Sequence, residues 1–165
     1  MDMNLTAREA FELAKQIETK AMNFYLEASS VAADPISRQL FVALADMERL
    51  HVQIFGAMQS LTEALIWQPP NLPAGLSQPD IWPALAGGMI QNIDTVLPQF
   101  FSQRRTSEEI LRGAMDFERD TLVLFYGLRQ MMKSPAEMQR LDAITKEEMG
   151  HLLTLGSQLA RLGRT

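Results

Sequence analysis

Two tetrapeptides, Glu48-Arg49-Leu50-His51 and Glu148-Met149-Gly150-His151, hold the only two histidines of the 165-residue chain and stand 100 positions apart. The same offset pairs Thr6 with Thr106, Glu9 with Glu109, Ala14 with Ala114, Glu18 with Glu118, Pro35 with Pro135 and Gly56 with Gly156. One structural unit has been used twice. Matched caps and matched apolar residues could follow from helix physics alone. Matched Glu and Glu-x-x-His cannot, and they demand a chemical reason.

Each unit reads as a helical hairpin. Phe11, Ala14, Ile17, Ala21, Phe24, Tyr25 and Ala28 recur at helical spacing among polar residues, behind a capping box from Thr6 to Glu9, and this helix should stop near Ala32-Ala33. Asp34-Pro35 is an N-cap followed by proline at the first helical position, and Leu40, Phe41, Leu44, Ala45, Val52, Phe55, Ala57 and Met58 continue a second stripe. In the second unit Thr106 to Glu109 is again a capping box, ahead of Ile110, Leu111, Ala114, Phe117, Leu122, Leu124 and Phe125; Ser134-Pro135-Ala136-Glu137 caps a last helix carrying Leu141, Ile144, Leu152, Leu155 and Leu159. Between the hairpins, residues 67–105 hold six of the eight prolines and Gly87-Gly88, so this stretch connects rather than forms a bundle helix. Trp82, Ile90, Phe100 and Phe101 make it too apolar for a solvated tether, and a short helix is expected around 88–99. The expected fold is an all-α, single-domain four-helix bundle: hairpin 1 over about 6–66, connector over about 67–105, hairpin 2 over about 106–163.

The polar residues of the repeat fall at one height. Glu18 and Glu48 lie equally far from the Ala33-Asp34 turn, about fifteen residues or roughly 22 Å at 1.5 Å per residue, and Glu118 and Glu148 repeat this about the Ser134-Pro135 turn. Glu18 sits between Ala14 and Ala21 on its stripe, while Glu48 and His51 continue from Leu44 towards Phe55, so all six polar side chains are expected to face inward. Four buried carboxylates would repel and protonate unless cations were present, and two divalent ions would balance their charge. A Glu-x-x-His turn lets the Glu bridge two ions while its His binds one. Glu48 and Glu148 are therefore the bridging candidates, with Glu18 and Glu118 terminal and His51 and His151 one to each ion. Oxygen and imidazole donors suit Fe, Mn or Zn, and two ions per chain are expected. The eleven methionines, Met22, Met47, Met115 and Met149 among them, are expected to fill the core, because a thioether is a soft ligand for a hard site. Tyr25, seven residues after Glu18, could hydrogen-bond a ligand carboxylate, supply an electron or simply pack; its counterpart is Phe125.

The segments Ile17-Glu18 with Phe24-Tyr25, Glu48-x-x-His51, Glu118-Arg119-Asp120 with Phe125-Tyr126, and Glu148-x-x-His151 resemble the rubrerythrin and bacterioferritin branch of the ferritin-like superfamily. The resemblance covers the four helices and not the connector. It implies a di-iron centre reacting with peroxide or dioxygen, with Glu18, Glu48, His51, Glu118, Glu148 and His151 as ligands. The chain departs from the family pattern at three places. It has no cysteine for a rubredoxin-type iron, Thr121 stands where rubrerythrins carry a further glutamate, and Arg49 stands where bacterioferritins place a haem-binding methionine, so no haem is expected.

Composition narrows the partners. A net charge of −5 and 20 acidic residues disfavour nucleic acid and anionic membranes. The start of the sequence lacks a basic, then apolar, signal, and no run of about eighteen apolar residues occurs, so a cytoplasmic location is expected. Zero cysteines exclude thiol nucleophiles, iron-sulfur clusters and disulfides. Three readings stay open: a redox enzyme using peroxide or O₂ and an external electron-donor protein, an iron-binding or storage protein, and a bundle whose metals are only structural. The apolar connector further suggests a homodimer.

Overall fold

The computed structural model describes residues 7–61, 98–132 and 134–164. Four long helices make up most of them: α1 (Ala7–Val31), α2 (Pro35–Leu61), α3 (Ser107–Met131) and α4 (Pro135–Leu162). No strand occurs among the described residues. The capping residues act as the sequence reading expects. Asp34 Oδ2 accepts from Ser37 N at 2.7 Å, Thr106 Oγ1 accepts from Glu109 N at 3.2 Å while Glu109 Oε2 accepts from Thr106 N at 2.8 Å, and Ser134 Oγ accepts from Glu137 N at 3.5 Å. The first expected box lies outside the described residues at Thr6.

Helix α1 packs on α2 and α3, and α4 packs on α3 and α2. Burial reveals the directions. One apolar cluster joins Phe11 and Ala14 of α1 to Phe55 and Met58 of α2, Leu124 and Leu128 of α3, and Leu141 and Ile144 of α4. The other joins Tyr25 and Ala28 to Phe41 and Leu44, Ile110 and Leu111, and Leu155. Each neighbouring pair is thus antiparallel. Helix α2 ends at the opposite end of the bundle from the start of α3, the arrangement that needs one long crossover.

Of the connector, positions 67–97, with Trp82 and most of the expected short helix, lie outside the described residues; 98–102 are helical. Phe100 and Phe101 set their ring centroids 5.8 and 5.2 Å from that of Phe24. Phe100 comes so close to α3 that a Cβ on Gly113 would lie 2.9 Å from its ring, so a side chain at this position would have to push the ring aside. The expectation for the methionines needs a correction. Met22 and Met115 pack against the core, but Met149 is 46% exposed, because a residue next to an inward-facing Glu148 points away from the bundle axis.

The two hairpins are also tied by a contact that no single helix displays. Asp34 Oδ2 accepts from Gln158 Nε2 and Arg161 Nη2 of α4, both at 2.8 Å, and Gln158 Nε2 lies 2.8 Å from the buried Ser37 Oγ as well. The cap of α2 thereby anchors the last turns of α4.

Candidate metal centre

Between the two apolar clusters the bundle axis is polar. Glu18, Glu48, His51, Glu118, Glu148 and His151 are each at most 2% exposed, and they converge from all four helices. Helical periodicity puts them there: each occupies a position on the buried stripe of its helix, and equal distance from the hairpin turns sets a common height.

The atoms fall into two overlapping groups. Glu18, Glu48, His51 and Glu148 form one, and Glu48, Glu118, Glu148 and His151 the other, with the donor atoms of each group within 4.8 Å of one another. Glu48 and Glu148 belong to both. Glu48 turns Oε2 to His51 Nδ1 at 3.1 Å and Oε1 to His151 Nδ1 at 3.0 Å; Glu148 turns Oε1 to His51 Nδ1 at 2.7 Å and Oε2 to His151 Nδ1 at 3.0 Å. Each shared carboxylate therefore presents one oxygen to each half. Glu18 Oε2 lies 3.9 Å from His51 Nδ1, and Glu118 Oε1 lies 3.6 Å from His151 Nδ1, one outer carboxylate per half. The imidazole centroids are 5.8 Å apart. Tyr25, fully buried against Phe41, donates its hydroxyl hydrogen to Glu118 Oε1.

Without metal, protons must neutralise this cluster. Burial, helped by repulsion from Glu148 and Glu48, raises Glu118 to about 8 despite a hydrogen bond from His151. Burial and the charge of Glu148 likewise raise Glu18 well above the ordinary carboxylate range. Burial would also raise Glu48, but hydrogen bonds from His151 and His51 outweigh it and hold Glu48 at about 2; Glu148 is lowered in the same way. Burial would pull both histidines down, yet hydrogen bonds to the surrounding carboxylates raise His51 and push His151 up to about 12. Two neutral acids, two carboxylates and two imidazolium ions make a neutral but poorly satisfied core. Both oxygens of Glu18 and Nε2 of His151 are buried with no hydrogen-bond partner, and Oε1 of Glu48 and Oε1 of Glu148 each face an Nδ1 whose one hydrogen is directed at another oxygen. Buried polar atoms normally find partners. Orphaned oxygens converging beside two imidazole nitrogens are the donor set that two divalent ions would complete, so the cluster fits a dimetal site.

Two residues near the cluster were not legible as contributors. Glu147 Oε2 accepts from His51 Nε2 at 3.1 Å, across from the opposite hairpin. The signal available was a break in the repeat, Met47 against Glu147, whose meaning depends on which helix lies opposite. Thr121 Oγ1, one turn beyond Glu118, is buried and unpartnered, where Ala21 stands in the first unit.

No family model matches the sequence, and none of the curated proteins does. Among solved structures, the fold matches that of a protein from Thermotoga maritima described as a ferritin-like diiron-carboxylate protein, with a TM-score of 0.71 over 97% of this chain and 98% of that one at 18% identity. The chain has the ferritin-like fold. Among the described residues no helix is long and apolar enough to cross a membrane.

Proposed function

We propose that this ferritin-like chain is a non-haem di-iron oxidoreductase that reacts with peroxide or dioxygen. The observation that carries the proposal is the pair of shared carboxylates, Glu48 and Glu148, each offering one oxygen to each histidine in a core closed by apolar clusters on both sides. Glu18 and His51 would complete one iron position, Glu118 and His151 the other. Iron(II) bound at both positions would supply two electrons, one per ion, the number that reduces one peroxide to two waters with two protons. Carboxylates of adaptable denticity suit such a change of charge, and the flanking clusters of Phe55, Phe125 and Ile17 on one side and Phe41, Ala45 and Leu111 on the other keep water out. Tyr25 holds Glu118 in place by its hydroxyl. With no cysteine in the chain, electrons would come from an external donor protein. A homodimer and a cytoplasmic location belong to the same proposal; light scattering and cell fractionation check them.

Anaerobic loading with Fe(II), elemental analysis and stopped-flow mixing with peroxide test the reading. Two irons per chain and two Fe(II) oxidised per peroxide are expected, and Glu48→Ala should hold at most one ion. Two bound ions that peroxide does not oxidise would make the metals structural. Iron taken up far beyond two per chain would make the protein a store.

A further inference from the structure

The two halves of the cluster match in their ligands and differ in what surrounds them. Nε2 of His51, on the side of the ring away from Glu48 and Glu148, lies 3.1 Å from Glu147 Oε2. A carboxylate oxygen only accepts, so Nε2 keeps its hydrogen when a metal ion displaces the proton of Nδ1, and Nδ1 is then the nitrogen that offers its lone pair to the cluster. Glu147 reaches this ring from the surface, its own side chain 54% exposed. In the repeat its counterpart is Met47, whose thioether cannot take that hydrogen with comparable strength, and Nε2 of His151 is buried without a partner among the described residues. The outer carboxylates differ in the same sense. Glu118 gives up electron density to the Tyr25 hydroxyl, whereas Phe125, the counterpart of Tyr25, offers Glu18 nothing.

Resting on the dimetal reading above, we propose that the two metal positions are unequal: the one built on Glu18 and His51 fills first and holds its ion more tightly, and Glu147 is the positioning residue responsible. A carboxylate on the outer nitrogen fixes the tautomer and ring orientation and makes the inner nitrogen a stronger donor, an effect worth about 10–100-fold in metal affinity. The Tyr25 hydrogen bond weakens Glu118 as a donor and widens the gap.

Titration of the metal-free protein with Co(II), followed by calorimetry and by the visible absorption of the bound ion, tests this. Two ions sharing Glu48 and Glu148 repel each other, so some separation of the steps arises in any variant, and the deciding quantity is how each step responds to substitution. Glu147→Gln should weaken the first step about 10-fold or more, shift the absorption of the first equivalent and leave the second step in place. Glu147→Asp should restore part of the loss, and Met47→Glu, which supplies the missing carboxylate, should tighten the second step. Glu147 is exposed and Met47 half-buried, and a cooperative melt of each metal-free variant checks that it is folded. Two Co(II) bound with steps that Glu147→Gln does not change would overturn this inference and leave the dimetal site standing. No Co(II) bound at all would overturn both.

Discussion

Replacing Glu18 by Met should stabilise the protein without metal and destabilise it with metal. Glu18 is 0% exposed, both of its oxygens lack partners, and the nearest cationic nitrogen, His51 Nδ1, is 3.9 Å away, beyond hydrogen-bond distance. Burial and the charges of Glu148 and Glu48 keep it protonated. A buried, unsatisfied polar group costs about 1–3 kcal/mol. Methionine has nearly the same length, carries no hydrogen-bonding demand and adapts to irregular space. Without metal, Glu18→Met should therefore gain about 1–3 kcal/mol, or roughly 2–4 °C in Tm per kcal/mol for a chain of this size. With excess Mn(II) or Zn(II) the sign reverses, because stabilisation by a ligand falls by about 1.4 kcal/mol for every tenfold loss of affinity, and this variant lacks the outer carboxylate of one position. Scanning calorimetry in chelator and in excess metal gives both numbers. A variant less stable than wild type in chelator would show that the carboxyl holds the fold together, and one equally favoured under both conditions would show that Glu18 binds no metal.

The metal-free protein should lose stability as pH rises. The folded state keeps the Glu118 proton up to about 8, whereas an ordinary glutamate loses it near 4.5, so this contribution is complete below about 4.5 and gone above about 8. The raised histidines act in the same direction from about 6.5 upward, so Tm in chelator should fall steadily between pH 5 and 9, while metal affinity, which competes with these protons, should climb. A flat Tm profile would mean that these groups titrate alike in the folded and unfolded chain. Tyr25→Phe leaves Glu118 without its hydroxyl donor and should cost about 1–2 kcal/mol in chelator while two ions still bind; a neutral effect would reduce Tyr25 to packing. Asp34→Ala removes the α2 cap together with the acceptor of Gln158 and Arg161, and a loss of about 2 kcal/mol by urea denaturation is expected. A loss below about half of that would leave the inter-hairpin tie without energetic weight.

Local and periodic features were legible in the sequence. Helix boundaries at Asp34-Pro35, Thr106 and Ser134 follow from capping chemistry within four residues, and the inward direction of Glu18, Glu48 and Glu148 follows from 3.6-residue periodicity, which acts along a single helix. The 100-residue repeat even placed the four carboxylates at one height, because rise per residue converts sequence distance directly into length. Contacts between helices were decided only by tertiary structure. Which oxygen of Glu48 meets which histidine, the reach of Glu147 to His51, the bond from Tyr25 to Glu118 and the tie from Asp34 to Gln158 all depend on the rotation and lateral order of helices whose members lie 93 to 124 residues apart in three of these cases. Periodicity fixes which way a side chain leaves its own helix and carries no information about the neighbour it meets there. The symmetric set of candidate ligands is thus a property of the repeat, while the asymmetry around it, Glu147 against Met47 and Tyr25 against Phe125, acquires meaning only once the bundle brings those positions to the two sides of one cluster.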